Sequence, residues 1–154
     1  MNYNQILEYI DSQKIKAVES INFKKKKIKY SEKITGWNID KLKGDEELVR
    51  AYLITKLVNE LGYKEENIEI EKEYDIGRPK TNKPRIDIIV RDDKGNGFLF
   101  IELKSPKDFE KDKDETIEKQ LFNLASQEKN EEIIVAKIIV FLSWSMMHNF
   151  TTKN

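Results

Sequence analysis

Three charged residues, Asp87, Glu102 and Lys104, lie in two short apolar runs, residues 84–90 and residues 98–104, which have the composition of β-strands. The linker at residues 91–97 carries the Asp, Gly and Asn residues of a hairpin turn, so the two runs are predicted to pair. Residues two apart share a strand face, which groups Glu102 with Lys104 and lets Asp87 lie beside Glu102. Two carboxylates can hold a hard cation such as Mg²⁺, and an ammonium group beside them can stabilise anionic charge. The pattern therefore predicts a magnesium-dependent site for phosphodiester hydrolysis.

The two runs also show how such a site would be positioned. Every second residue is apolar, which gives each strand a face suited to a core. This face comprises Ile86, Ile88 and Val90 in the first run and Leu99, Ile101 and Leu103 in the second. The three charged residues belong to the opposite face, where a site can form.

Helical periodicity predicts three further elements: helices from Tyr3 to Ile21, from Asp45 to about Leu61 and from about Glu115 to Glu128. Asp45 is the predicted N-cap of the middle helix, and Gly62 its stop. The predicted core stripe of that helix consists of Val49, Tyr52, Leu53, Leu57 and Leu61.

Two more strands complete the predicted order of helix, helix, three strands, helix and strand. Ile68 to Tyr74 alternates, with Glu69, Glu71 and Glu73 as the outer face of a half-exposed strand. Ile133 to Leu142 is apolar on both faces, as in a strand buried between layers. This order predicts an α/β fold with a mixed sheet, in which the last helix crosses over to a parallel strand.

Composition excludes several kinds of site. The 154 residues carry a formal net charge of zero, so DNA binding must come from local basic clusters. Cysteine is absent and His148 is the one histidine, which excludes disulfides, thiolate metal sites and a multi-histidine zinc site within the chain. No signal-peptide pattern or membrane-length apolar run is present, so we expect a cytoplasmic location and no membrane partner.

Six motifs follow one another in a familiar order: Asp45 to Arg50, Gly62-Tyr63, Gly77 to Lys80, Arg85 to Asp87, Ile101 to Pro106 and Gln120-Leu121. Together they resemble the N-terminal nuclease domain of type I restriction enzyme R subunits, in the PD-(D/E)xK nuclease superfamily. The resemblance implies a restriction-endonuclease-like mixed β-sheet flanked by helices. It also implies a nuclease core at residues 45–142, an N-terminal segment at residues 1–44 packed on that core, and a tail at residues 143–154.

The same resemblance implies roles for the strand residues. Asp87 and Glu102 would ligate Mg²⁺, for which Mn²⁺ can substitute, and the Leu103 carbonyl would add a ligand. Lys104 would orient or activate the attacking water and stabilise the transition state.

Two helix residues complete the implied catalytic set. Glu47 would support the metal or its water, although first-turn acids are equally expected from the helix dipole alone. Gln120 would fix the nucleotide backbone or the site lysine, although an amide on an apolar helix face can equally pair with a backbone group of the core.

Basic residues around the site are the predicted DNA contacts. Because phosphate binding needs clustered cations, this set comprises Arg78, Lys80, Lys83 and Arg85 before the site and Lys107 after it. The run Lys24 to Lys27 is more typical of a solvated stretch than of a DNA contact.

These observations favour a magnesium-dependent endonuclease that cuts duplex DNA in a type I-like restriction-modification system. Motor, methyltransferase or specificity subunits are the expected partners. A second hypothesis is a module that binds DNA or partner subunits without cutting, which fits a tail that resembles no motor or methyltransferase. A third is an α/β domain with coincidental charged strands, in which Asp87 and Glu102 point to different sides of the sheet.

Overall fold

The fold is seen in a computed structural model that describes residues 2–36, 40–42, 44–74, 84–104, 123 and 134–139, with the backbone alone for Lys104 and residues 134–139. Two helices lie in this part of the chain, α1 (Tyr3–Ser12) and α2 (Asp45–Asn59). The strands are β1 (Val18–Asn22), β2 (Lys27–Tyr30), β3 (Thr35–Gly36), β4 (Ile68–Glu73), β5 (Arg85–Arg91), β6 (Gly97–Lys104) and β7 (Ile134–Ile139), with a 3₁₀ turn at Glu65–Asn67. The predicted α/β class is confirmed.

Among the described residues, one mixed sheet carries five strands in the order β3-β4-β5-β6-β7. The inner pairs β4–β5 and β5–β6 are antiparallel, and the outer pairs β3–β4 and β6–β7 are parallel. The predicted hairpin and the predicted parallel final strand are therefore confirmed. The predicted helix from Glu115 to Glu128 lies outside the described residues except for Asn123, which is helical.

The turn between β5 and β6 has the hydrogen bonds and the positive φ that its Asp, Gly and Asn residues predict. The Asp92 carboxylate accepts hydrogen bonds from the backbone N–H groups of Lys94 and Asn96, at 2.9 and 2.8 Å. Gly95 takes a positive φ of 85°, which costs glycine little. These local contacts set the register of the two strands that carry the predicted site.

The first helix ends well before the predicted boundary. An Asn2–Gln5 capping box begins α1, and Ser12 is its last residue. The predicted continuation to Ile21 is wrong, because this segment forms β1 and pairs with β2, with Ile21 opposite Ile28. The β1–β2 hairpin is separate from the main sheet. β-Branched residues favour this pleated pairing over a fourth and fifth helical turn.

The second helix lies where it was predicted, but it buries a different face. Gly44, not Asp45, is the N-cap, and the helix ends at Asn59. The predicted stripe is wrong at Leu61, which is 64% exposed. The stripe is confirmed at Leu57, while Val49, Tyr52 and Leu53 are only partly buried against the core. The fully buried residues are Glu47, Leu48, Arg50, Ala51, Ile54, Thr55, Leu57 and Val58. No helix in the described part of the chain is long and apolar enough to cross a membrane.

A single apolar core joins α1, the β1–β2 hairpin, α2 and one face of the main sheet. The sheet contributes Ile88 and Val90 from β5 and Ile101 and Leu103 from β6, which confirms the predicted core face at these positions. The core therefore fixes α2 against the strands that carry the charged residues.

The close packing of β3 on β4 can be tested by a substitution at Gly36. A Cβ atom at Gly36 would lie 2.0 Å from the backbone oxygen of Ile70. We expect Gly36→Ala to lower the free energy of unfolding by about 3 kcal/mol, because overpacking adds to backbone strain. Gly95→Ala is the control, since a Cβ there meets nothing within 4 Å, and it should cost about 1 kcal/mol from its positive φ alone. Equal losses in urea unfolding would contradict the close approach.

Candidate active site

Asp87 lies where β5 and β6 separate. The two strands pair from Arg91 opposite Gly97 to Ile88 opposite Ile101, where their ladder stops. Just beyond, Asp87 Oδ2 accepts a hydrogen bond of 2.6 Å from the backbone N–H of Leu103. The carboxylate thus takes the place of the carbonyl acceptor that a longer ladder would supply. A rigid strand amide therefore fixes the orientation of the acid.

Glu102 is the neighbour of Asp87 across this opening. It directly follows Ile101, and Asp87 directly precedes Ile88, so the last ladder pair sets the two acids opposite each other. Strand alternation continued beyond this pair would place them on the same side, as the metal-site prediction requires. The shared metal site and the alternative of coincidental charges both stay predictions.

Arg50, on the second turn of α2, is a buried cation on which three acids converge. Its Nη1 donates to Glu47 Oε2 at 2.7 Å, and its Nη2 lies 2.8 Å from Asp87 Oδ1 and 2.7 Å from Glu71 Oε1. Arg50 is only 3% exposed. Burial alone would lower the pKa of the guanidinium, but the three carboxylates outweigh it and raise the pKa above its ordinary value. Arg50 is therefore a permanent positive charge that joins α2 to β4 and β5.

Glu47 has both carboxylate oxygens engaged. Oε2 accepts from Arg50, and Oε1 accepts a 2.6 Å hydrogen bond from the hydroxyl of Tyr30 at the end of β2. Burial and the Glu47 carboxylate raise the pKa of Tyr30 well above its ordinary value, so the hydroxyl remains a donor. The predicted helix acid is thus linked to Asp87 through Arg50.

Glu71 reaches Arg50 through an unusual backbone conformation. Its φ is 55°, in the left-handed region that L-residues avoid at a cost of about 1–2 kcal/mol. The prediction that Glu71 belongs to an outer strand face is wrong, because the residue is buried at 8% exposure. Its second oxygen, Oε2, lies 3.2 Å from Arg85 Nη1. The strained backbone of Glu71 thus belongs to an acid whose carboxylate binds two arginines, Arg50 and Arg85.

Arg85 was predicted to contact DNA, but two glutamates already bind its guanidinium. Besides Glu71 it donates from Nε to Glu73 Oε1 at 2.9 Å. A phosphate would therefore have to compete with these carboxylates for Arg85. Four acids and two arginines are connected in this way, and we call them the charge cluster: Glu47, Glu71, Glu73, Asp87, Arg50 and Arg85.

The remaining predicted residues are only partly placed. Lys104 ends β6, and its backbone continues the strand that carries Glu102 and Leu103. The other predicted residues lie outside the described ones: Gln120, Arg78, Lys80, Lys83 and Lys107. Across the described ranges, no group of three or more His, Asp or Glu residues is arranged to hold a metal ion. The part of the site with defined contacts is the Asp87 carboxylate and the charge cluster that holds it.

Sequence reasoning gave no role to Arg50 or Tyr30 and misplaced Glu71. One signal for Arg50 was available, since Glu47, Arg50, Ala51 and Ile54 follow helical spacing and so share one stripe. Acid and arginine three residues apart on an apolar stripe indicate a buried ion pair. No comparable local signal marks Tyr30, which meets Glu47 only through the fold.

Comparison with known proteins places the site in a family context. A family model described as the type I restriction enzyme R protein N terminus matches residues 45–141, more than half of the chain. The matched region begins at α2 and includes β4 to β7, and with them both arginines and all four acids of the charge cluster. Tyr30 and the β1–β2 hairpin precede the matched region. No curated protein matches the chain.

The charge cluster predicts a large stability difference between two arginine variants. Arg50→Met would leave buried carboxylates unpaired, so we expect it to lower the free energy of unfolding by about 3–5 kcal/mol. Arg91→Met is the matched control, because Arg91 pairs with Glu69 where both side chains are only partly buried, and it should cost about 1 kcal/mol. Urea unfolding followed by circular dichroism measures both. Similar losses would contradict the central role of Arg50.

Proposed function

Because the chain belongs to the family of type I restriction enzyme R protein N-terminal domains, we propose that it is a magnesium-dependent endonuclease domain that hydrolyses DNA phosphodiester bonds. The observation that carries the proposal is the Asp87 carboxylate, which Leu103 and Arg50 hold at the opening between β5 and β6. Glu102, which follows the last paired residue Ile101 on β6, is the proposed second acid. In this proposal duplex DNA is the substrate, and motor, methyltransferase or specificity subunits are the partners.

The donor chemistry fits a hard divalent cation. Asp87 and Glu102 offer carboxylate oxygens, and Leu103, the residue after Glu102, offers its backbone carbonyl. Mg²⁺ often binds through one or two carboxylates while keeping several waters. Four carboxylates and two guanidinium groups give the charge cluster a formal excess of two negative charges. Bound Mg²⁺, or Mn²⁺ in its place, would supply an activated water and neutralise charge on the phosphate.

The residues of the chain would prepare the site before any substrate binds. Arg50 and the Leu103 amide each engage one oxygen of Asp87, which orients the carboxylate. We propose that Glu47 acts by positioning Arg50, since its own oxygens are engaged by Arg50 and Tyr30. Arg50 thereby places a permanent positive charge 2.8 Å from Asp87 Oδ1.

Other roles in the proposal follow from the family membership. Lys104, two residues after Glu102, would orient the attacking water and stabilise charge on the phosphate. Gln120 would fix the nucleotide backbone or Lys104. The basic residues Arg78, Lys80, Lys83 and Lys107 would contact flanking phosphates.

A second candidate function is supported by a specific observation. Arg50 already compensates Asp87 and Glu71 within the fold, and the described residues offer no complete group of three acids for a metal. Both features suit a module that binds DNA or partner subunits without cutting. This alternative predicts a gel shift with duplex DNA and no metal-dependent nicking.

Asp87→Asn tests the endonuclease proposal directly. The substitution keeps the shape of the side chain but removes the charge that would ligate Mg²⁺. We expect metal-dependent nicking of supercoiled plasmid to fall by about 100-fold or more, since even outer-shell changes at metal sites cost 10–100-fold. Nicking is followed on agarose gels with Mg²⁺, Mn²⁺ or a chelator.

Asp93→Asn is the matched control for this experiment. Asp93 lies in the β5–β6 turn and makes an exposed ion pair with Lys64, so the same chemical change should leave nicking unchanged. Nicking that survives Asp87→Asn, or that persists in chelator, would contradict the assignment. A wild-type chain that shifts DNA but never nicks it would favour the binding module.

Metal binding can also be measured without cleavage. A cation that binds only the folded chain at about 100 times its dissociation constant stabilises it by about 2.7 kcal/mol. We therefore expect Mg²⁺ or Mn²⁺ to raise the melting temperature of the wild type and of Asp93→Asn, but not of Asp87→Asn or Glu102→Gln. Equal shifts in all four proteins would place the ion elsewhere.

A further inference from the structure

The turn between β1 and β2 presents a dense group of lysines. Lys24, Lys25 and Lys26 are exposed in this turn. The segment at residues 40–42 runs alongside, because Lys41 bridges to Lys27 and the Leu42 N–H donates to the Lys26 carbonyl at 3.0 Å. The fold thus adds Lys41 to the group. We call Lys24, Lys25, Lys26 and Lys41 the lysine patch.

The lysine patch brings together several lysines that form no ion pair with a described carboxylate. Several other lysines pair with a carboxylate: Lys27 with Asp40, Lys29 with Glu19, Lys33 with Glu65, Lys56 with Glu60, Lys64 with Asp93 and Lys72 with Glu69. Within the described part of the chain, no carboxylate forms an ion pair with any member of the lysine patch. A chain with 28 basic and 28 acidic residues therefore leaves a local positive surface here.

Lys26 occupies a backbone position that favours another residue type. Its φ is 48°, in the left-handed region that glycine and asparagine adopt most easily. A lysine at this position costs conformational energy and forms no ion pair with a described residue to offset it. Turn stability therefore does not explain the lysine.

A cavity of about 550 Å³ opens beside the lysine patch. It is lined by Tyr3, Phe23, Lys26, Lys41, Leu42 and Gly44. The rings of Tyr3 and Phe23 lie with their centroids 6.0 Å apart. An apolar wall with two ammonium groups matches the sugar–phosphate unit of nucleic acid, which joins an apolar sugar face to an anionic phosphate. Phosphate contacts of this kind position a protein on DNA without reading its sequence.

The lysine patch is structurally connected to the charge cluster. β2 begins at the lysine turn and ends at Tyr30, whose hydroxyl binds Glu47. Four residues of extended chain from Lys26 to Tyr30 span about 13 Å, which corresponds to roughly four base-pair steps of about 3.4 Å in duplex DNA. A duplex running along β2 would therefore need only about four base-pair steps to cover this length.

We propose that the lysine patch binds the phosphate backbone of the DNA duplex that flanks the cleavage site. This inference rests on the proposed function in taking DNA as the substrate. It places a DNA contact ahead of the region that matches the family model, in addition to the predicted basic residues near Asp87. The contact supplies affinity and orientation, not sequence recognition.

The test compares two double variants of the whole chain. Lys24→Gln/Lys26→Asn removes two charges of the patch, and asparagine tolerates the positive φ at position 26. Lys14→Gln/Lys94→Gln removes two exposed lysines elsewhere. Binding to a labelled duplex is measured by fluorescence anisotropy in chelator, so cleavage cannot contribute. The patch variant should bind roughly tenfold more weakly, and its slope of log affinity against log salt should be smaller by about 1.8.

The outcomes separate this inference from the nuclease proposal. The lysine-patch proposal would be overturned if the patch variant kept the affinity and salt slope of the wild type. Equal losses in the control variant would also overturn it, even where plasmid nicking occurs. No duplex binding by the wild type at low salt would also overturn it. A reduced slope confined to the patch variant supports it even where nicking is absent. The melting temperature of the patch variant should not fall, which excludes unfolding as the cause.

Discussion

The burial of one arginine among three carboxylates is the constraint on which the arrangement of the site depends. A guanidinium that is 3% exposed must have its charge balanced inside the protein. Glu47 does this from the same helix, Glu71 from β4 and Asp87 from β5. Each contact is short and directional, so α2 cannot slide or rotate against the sheet without leaving charge unpaired. The apolar core holds these elements together, and the ion pairs fix their alignment.

The second determinant is the point at which the β5–β6 ladder ends. A sheet end exposes backbone donors that a side chain can use, and Asp87 uses the N–H of Leu103. The acid is therefore held by a backbone group on one oxygen and by Arg50 on the other. Such a carboxylate is oriented before any ligand arrives, which is what a metal or phosphate site requires. The left-handed backbone of Glu71 is a further cost of the same arrangement.

The N-terminal segment is integrated with this site although it precedes the matched family region. α1 and the β1–β2 hairpin contribute to the same apolar core as α2 and the sheet. Tyr30 closes the set of contacts around Glu47, and the other end of its strand carries the lysine turn. The hairpin thus links the buried acids to an exposed basic surface. Its position makes the segment a functional part of the domain in our proposals.

The β5–turn–β6 hairpin and its core face could be predicted from the sequence, because strand alternation and turn chemistry act between near neighbours. So could α2 and the final parallel strand. The end of α1 and most of the buried face of α2 could not. The burial of Arg50 and Glu71, and the contact of Tyr30 with Glu47, depend on the tertiary structure. A charged side chain can be buried only when oppositely charged or hydrogen-bonding partners are buried beside it, and those partners come from distant parts of the chain.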